Sequence, residues 1–144
     1  MQRVDRLMDN ILVVNGIYDI ACTCSILWLD RFPFFNVLSS LHPGLFEKDE
    51  HKDHPVIRRL LAYWLLTYGA VRTTAGFHRD PALDVLAALT YFIEAFCFAY
   101  ELWVGGTMIR SKVTFVSVSS LAIGIFVLCR PITFSMDRGL NYLN

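Results

Sequence analysis

The sequence predicts an all-α protein, a four-helix transmembrane bundle with one long first loop. Three observations carry that prediction. Of the 144 residues, 55% are hydrophobic and 18% charged, and mean hydropathy is +0.45; soluble domains hold about 45–50% apolar and about 25% charged residues. The apolar residues gather into four runs, 11–29, 56–77, 82–104 and 113–129. Each approaches the ~20 residues with which a helix crosses a hydrocarbon core about 30 Å thick. Finally, a soluble helix of such length shows a polar face, whereas the fourth run is interrupted only by Thr114, Ser117, Ser119 and Ser120.

Each element has a physical boundary. Helix one, about residues 8–29, ends at Asp30-Arg31 with Pro33 beyond. The charged stretch from Glu47 to His54 precedes helix two, about 56–77, and Pro55 suits its first turn because the missing N–H costs nothing there. Asp80-Pro81 reads as cap and first-turn proline of helix three, about 81–104. Gly105-Gly106 closes it, since glycine accepts the left-handed geometry of a C-terminal cap. Ser111 is the expected cap of helix four, about 112–130, and Arg130-Pro131 its expected stop. Residues 1–144 thus read as a single integral membrane domain, without repeats or low-complexity tracts.

The links at 78–81 and 105–111 are tight, which makes helices two, three and four antiparallel neighbours. Residues 30–55 form the long connection. Its Phe34, Phe35, Val37, Leu38 and Leu41 suit either a short interfacial helix near Trp28 or a loop folded over the bundle.

The 13 basic and 13 acidic side chains cancel, so no broad basic field exists for nucleic acid. Four crossings put both termini on one side, with Arg3, Arg6, Arg79, Arg130 and Arg138. Opposite lie Arg31, Lys48, Lys52, Arg58, Arg59, Arg110 and Lys112. That near balance gives no orientation under the positive-inside rule. Arg3 and Arg6 precede an apolar run as in a signal peptide, but Asp19 interrupts the run and no small-x-small site follows. A signal-anchor retained as helix one is the expectation.

Ionisable residues at membrane depth are costly and are functional candidates by default. Four qualify: Asp19, Arg72, Glu94 and Glu101. Asp19 shares a helix face with Asn15. Glu94 and Glu101 share another, alongside Tyr91 and Phe98, about 10 Å apart along the axis. At that spacing they share neither a proton nor a metal, so each needs a partner of its own. Arg72 could snorkel outward from its helix end. Following the short link, however, its depth matches Glu94 and not Glu101, which predicts an Arg72–Glu94 contact. Such charges admit three roles: pinning helix register, lining a proton or substrate path, or docking a partner.

Other motifs carry less chemistry. His51-x-x-His54 lacks the further ligands of a zinc site and reads as solvated loop. Cys22-x-Cys24 puts its thiols on different faces; with Cys97 and Cys129 they read as small buried hydrophobes. No cofactor is implied, and no nucleophile–base pair is legible.

Two stretches resemble a known family. Arg59-Leu60-Leu61-Ala62-Tyr63-Trp64 and then Ala70-Val71-Arg72 are similar to a helix of the ergosterol biosynthetic protein 28 family. That helix has an arginine, a tryptophan five residues later and an arginine eight beyond it. Tyr100-Glu101-Leu102-Trp103-Val104-Gly105-Gly106-Thr107 resembles the family's Ser-Glu-Leu-x-Val-x-Gly-Thr ending of the next helix. The resemblance covers about residues 56–129. Cys97 stands where the family pattern has histidine, and Glu94 is an added carboxylate.

The resemblance implies a non-catalytic scaffold of the endoplasmic reticulum membrane that holds sterol C-4 demethylation enzymes together. Partners would be membrane lipids and other membrane proteins, sterol-biosynthesis enzymes among them. It nominates Arg59, Trp64, Arg72, Glu101, Gly105 and Thr107 for packing or docking, to which the buried-charge argument adds Asp19 and Glu94. Two alternatives stand beside it. One is an accessory subunit of a mitochondrial or other organellar complex. The other is a small membrane enzyme of sterol-isomerase type, with Glu94, Glu101, Asp19 and Trp64 stabilising a carbocation. A proton-coupled carrier fits poorly, since no pair of broken helices is apparent.

Overall fold

Hydrophobic length and local capping set the helices of this chain. A computed structural model describes residues 2–28, 55–106 and 108–141. Its regular elements are α1 (Gln2–Trp28), α2 (Pro55–Phe77), α3 (Pro81–Tyr100), a π-helical turn (Glu101–Gly105) and α4 (Arg110–Asn141). The expected long loop, with Phe34, Phe35, Val37, Leu38, Leu41, His51 and His54, lies outside the described residues, as does Thr107.

Three helices are long and apolar enough to cross a membrane, over Val4–Leu27, Pro81–Gly105 and Arg110–Arg130. Helix α2 is long enough at 23 residues but is not among them. Gly69, Arg72, Thr73 and Gly76 all lie toward α1 or the bundle centre, and these inward groups dilute its apolar character.

Capping follows the residues. Asp80 Oδ1 accepts from the backbone N–H of Ala82 at 2.7 Å and of Leu83 at 3.4 Å, satisfying donors that a helix start leaves orphaned. At the other end of this segment Gly106 takes φ +62° and its N–H donates to Glu101 O at 2.7 Å. A side chain there would strain the backbone, so glycine is the residue that lets the chain turn.

Two boundaries depart from expectation. Helix α1 begins at Gln2, because Gln2, Arg3, Asp5 and Arg6 prolong a helix without being apolar. Helix α4 starts at Arg110, which places Ser111 inside it; the Ile109 carbonyl accepts from Lys112 and Val113 N–H, both at 3.1 Å. The same helix runs past Pro131 to Asn141. Proline deletes one ladder hydrogen bond, and here the preceding turn is held by Arg130, which is anchored to two carboxylates.

The helices pack as two antiparallel hairpins, α1 on α2 and α3 on α4. Although the link between α2 and α3 is the shorter one, their mutual packing is much thinner, so chain proximity overstated that pair. The α1–α2 seam brings backbones together. A β-carbon on Gly16 would sit 2.7 Å from Gly69 O, one on Gly69 2.7 Å from Gly16 O, and one on Gly76 2.9 Å from Asp9 O. Small residues permit this approach, and van der Waals packing then holds the pair.

Leu12, Ala75, Ala87, Ala88, Tyr91 and Val127, drawn from all four helices, form one core cluster. Cys22, Ile26, Ala62 and Leu65 form a second from α1 and α2 alone. Large apolar side chains point outward instead: Phe96 is 72% exposed, Phe115 73% and Trp103 81%. Beside the two apolar clusters the interior also holds buried polar side chains, Asp19, Arg72, Asp84 and Thr90 among them.

Candidate functional site

Arg72 is the centre of the buried polar interior. It sits on α2 with 2% of its surface exposed, pointing inward where a snorkelling side chain would point out. Its Nη1 donates to Asp19 Oδ2 of α1 at 2.8 Å, and its Nη2 to Glu94 Oε2 of α3 at 2.6 Å. Nε donates to Thr90 Oγ1 at 3.0 Å. The guanidinium carbon lies 3.8 Å from the Tyr91 ring centroid and 5.2 Å from that of Tyr68. A planar fork meets two carboxylates and a hydroxyl while stacking on an aromatic face; a lysine ammonium offers no such geometry.

The neighbours are themselves fixed. Ser120 of α4 donates to Glu94 Oε2 at 3.1 Å, and Asn15 of α1 donates to the Tyr91 hydroxyl at 3.0 Å. All four helices therefore contribute to one connected network. The expected Arg72–Glu94 contact is made, and Asp19 joins it as a second carboxylate from α1, the helix packed against α2.

A second cluster lies at one end. Asp9 and Asp19 are ten residues apart on α1, about 15 Å along the axis. Asp9 Oδ1 accepts from Arg130 Nη2 of α4 at 2.6 Å. Its Oδ2 accepts from Arg79 Nη2 at 2.6 Å and Nε at 3.1 Å. Arg130 Nη1 also reaches Asp84 Oδ1 of α3 at 3.4 Å. The hydrogen bond and charge of Asp9 raise the Arg79 guanidinium above its ordinary pKa.

The remaining candidates stand apart. Trp64 is on the outer surface of α2, edge-on to Tyr68 at 5.5 Å between ring centroids. Arg59 is exposed near the start of the same helix. The Glu101 side chain folds beneath Gly105 within the π-helical turn, a full two turns from Glu94. Sequence reasoning missed Thr90, Ser120 and the whole end cluster. Thr90 sits one turn before Glu94, a spacing that could have flagged it, whereas nothing local pairs Asp9 with Arg130. Among the described residues, no three His, Cys, Asp or Glu side chains are placed to hold a metal ion.

An apolar exterior around an arginine shared by both hairpins defines a helical bundle of membrane type, in which that arginine's donors meet acceptors from α1 and α3. The chain belongs to the Erg28 like protein family, whose profile matches residues 16–127. That span contains Asp19, Arg72, Thr90, Glu94 and Ser120, but not Asp9 or Arg130. No curated protein and no solved structure matches the chain.

Proposed function

We propose that the protein is a non-catalytic, multi-pass scaffold of the endoplasmic reticulum membrane that docks enzymes of sterol biosynthesis. In this reading all four helices cross the bilayer, α2 by meeting its polar needs within the bundle. The observation that carries it is the Arg72 network: Asp19, Glu94 and Thr90 all accept from the Arg72 guanidinium, and Ser120 donates to Glu94. Their job is to fix four helices in register, which leaves the outer apolar faces to lipids and partner helices. Family membership supports the sterol-pathway assignment.

The carbocation chemistry of an isomerase asks for a carboxylate facing its substrate. Glu94 Oε2 instead accepts from both Arg72 and Ser120, and Asp19 Oδ2 from Arg72. The test is affinity purification of the tagged full chain from native membranes in mild detergent. Larger sterol-pathway enzymes should come with it as a stable complex, and recovery only as a lone monomer would overturn the scaffold reading. A Glu94→Gln variant that assembles normally yet abolishes sterol turnover by the purified chain would overturn its non-catalytic part.

A further inference from the structure

Counting charge separates the two polar clusters. In the clasp at the end of the bundle the carboxylates of Asp9 and Asp84 meet the guanidiniums of Arg79 and Arg130, two of each sign. At the centre a single guanidinium, Arg72, serves both Asp19 and Glu94. With every group ionised the clasp is neutral, and the centre carries one negative charge in excess.

The centre is the worse place for that charge. Ser120 lies ten residues from either end of the apolar span Arg110–Arg130, and Glu94 thirteen and eleven residues from the ends of Pro81–Gly105. At 1.5 Å per residue these are distances of about 15–20 Å. Asp19 is 4% exposed and Arg72 2%. The other titratable side chains around them are Tyr18 and Cys22 of α1, Tyr68 of α2 and Tyr91 of α3, while α4 contributes the hydroxyl of Ser120. Among the described residues, no second cation joins them. An unpaired ion in hydrocarbon is so costly that the group gives up its charge instead. One proton removes the excess.

Asp19 and Glu94 compete for that proton unequally. Glu94 Oε2 accepts from Arg72 at 2.6 Å and from Ser120 at 3.1 Å, and its side chain is 17% exposed. Asp19 Oδ2 accepts, among the described residues, from Arg72 alone at 2.8 Å, and its side chain is 6% exposed. Hydrogen bonds to a carboxylate favour the charged form, and burial disfavours it. Both differences leave Glu94 as the anion.

We propose that the centre of the bundle is a binding site for one proton, held on the Asp19 carboxyl, so that Arg72 and Glu94 form the ion pair and Asp19 completes it as a neutral acid. The inference rests on these helices lying in a bilayer, as the proposed function has it, and not on what the chain docks. Recovery of the chain without partner enzymes would leave it standing.

The test is infrared difference spectroscopy of the full chain at neutral pH in nanodiscs of ether-linked lipids, which lack ester carbonyls. A protonated carboxyl gives a carbonyl stretch that a carboxylate does not. That band should be present in the unsubstituted chain. It should move to lower frequency when aspartate carries carbon-13 at its side-chain carboxyl, and stay in place when glutamate does. Asp19→Asn should delete it. Glu94→Gln should delete it too, because Arg72 then balances one carboxylate and Asp19 ionises. No band, a band that follows the glutamate label, or one that survives in Glu94→Gln would overturn the proposal. Asp19→Asn keeps the shape of a neutral acid and changes no charge, so it should accumulate and unfold like the unsubstituted chain. Its failure to assemble would count equally against a neutral Asp19.

Discussion

Two arginine-centred clusters at different depths hold this bundle together, and they do so under different rules. Arg72 is sealed among four helices, stacked on Tyr91 and facing two carboxylates. Arg130 and Arg79 share Asp9 at the end of the bundle, where the Arg79 side chain is 57% exposed. Bond lengths are the same in both places, 2.6–2.8 Å for the shortest contacts. What differs is access to water, and it decides what each contact is worth. A buried charge that loses its partner cannot be rehydrated, whereas an exposed one can. Geometry alone would rank the two clusters as equals; environment separates them.

The sharpest way to break that contrast is Arg72→Met. It leaves Asp19 buried without its partner and Glu94 with Ser120 alone, and losing one member of a buried ion pair costs about 3–5 kcal/mol. We expect the single variant to unfold at much lower temperature in detergent, with the buried Cys22 thiol becoming reactive. Adding Asp19→Asn and Glu94→Gln removes the stranded charges and should restore most of the loss. A simple exchange, Arg72→Glu with Glu94→Arg, should not, because Asp19 then faces a carboxylate at position 72. Full rescue by the exchange would show that Asp19 is dispensable and that the centre is a pair.

Arg130→Met tests the intermediate case. It removes hydrogen bonds to Asp9 and Asp84 at a partly buried site. Hydrogen bonds to charged groups are worth about 1.5–3 kcal/mol, so the unfolding midpoint should fall clearly less than for Arg72→Met. An equal fall would place the clasp on the same footing as the centre. Tyr91→Phe is smaller again. The ring stays under the guanidinium and only the Asn15 bond is lost, about 1 kcal/mol.

The Arg72–Glu94 half of the centre was legible because a tight link fixes the relative depth of α2 and α3. Asp19 was visible as a costly intramembrane charge but had no partner assigned. The long connection before α2 gives no register for α1, so sequence counting could not bring it opposite Arg72. Gly16, Gly69 and Gly76 read as ordinary glycines until the crossing put them face to face. Asp9 and Arg130 are 121 residues apart, and no periodicity links them. Helix ends were misread for a related reason: hydropathy marks where a helix is apolar, and α1 continues through polar helix-formers before Ile11. The cap at Asp80 and the turn at Gly106 were legible because their chemistry is local.

The smallest expected effect falls on Arg79, and it sharpens the contrast most cleanly because its bonds are short yet its side chain is largely in solvent. Arg79→Gln leaves Asp9 with Arg130 still bound to its other oxygen, so no charge is stranded. Water replaces the lost donor, and mobile ions screen what remains of the attraction within about 10 Å at 0.1 M salt. The unfolding midpoint should therefore drop only slightly at low ionic strength, and the difference from the unsubstituted chain should vanish as salt is raised. The Arg72→Met deficit should persist at every salt concentration, since ions cannot enter the packed centre. A salt-insensitive loss at Arg79 matching that of Arg72 would mean that depth is not what separates the two clusters.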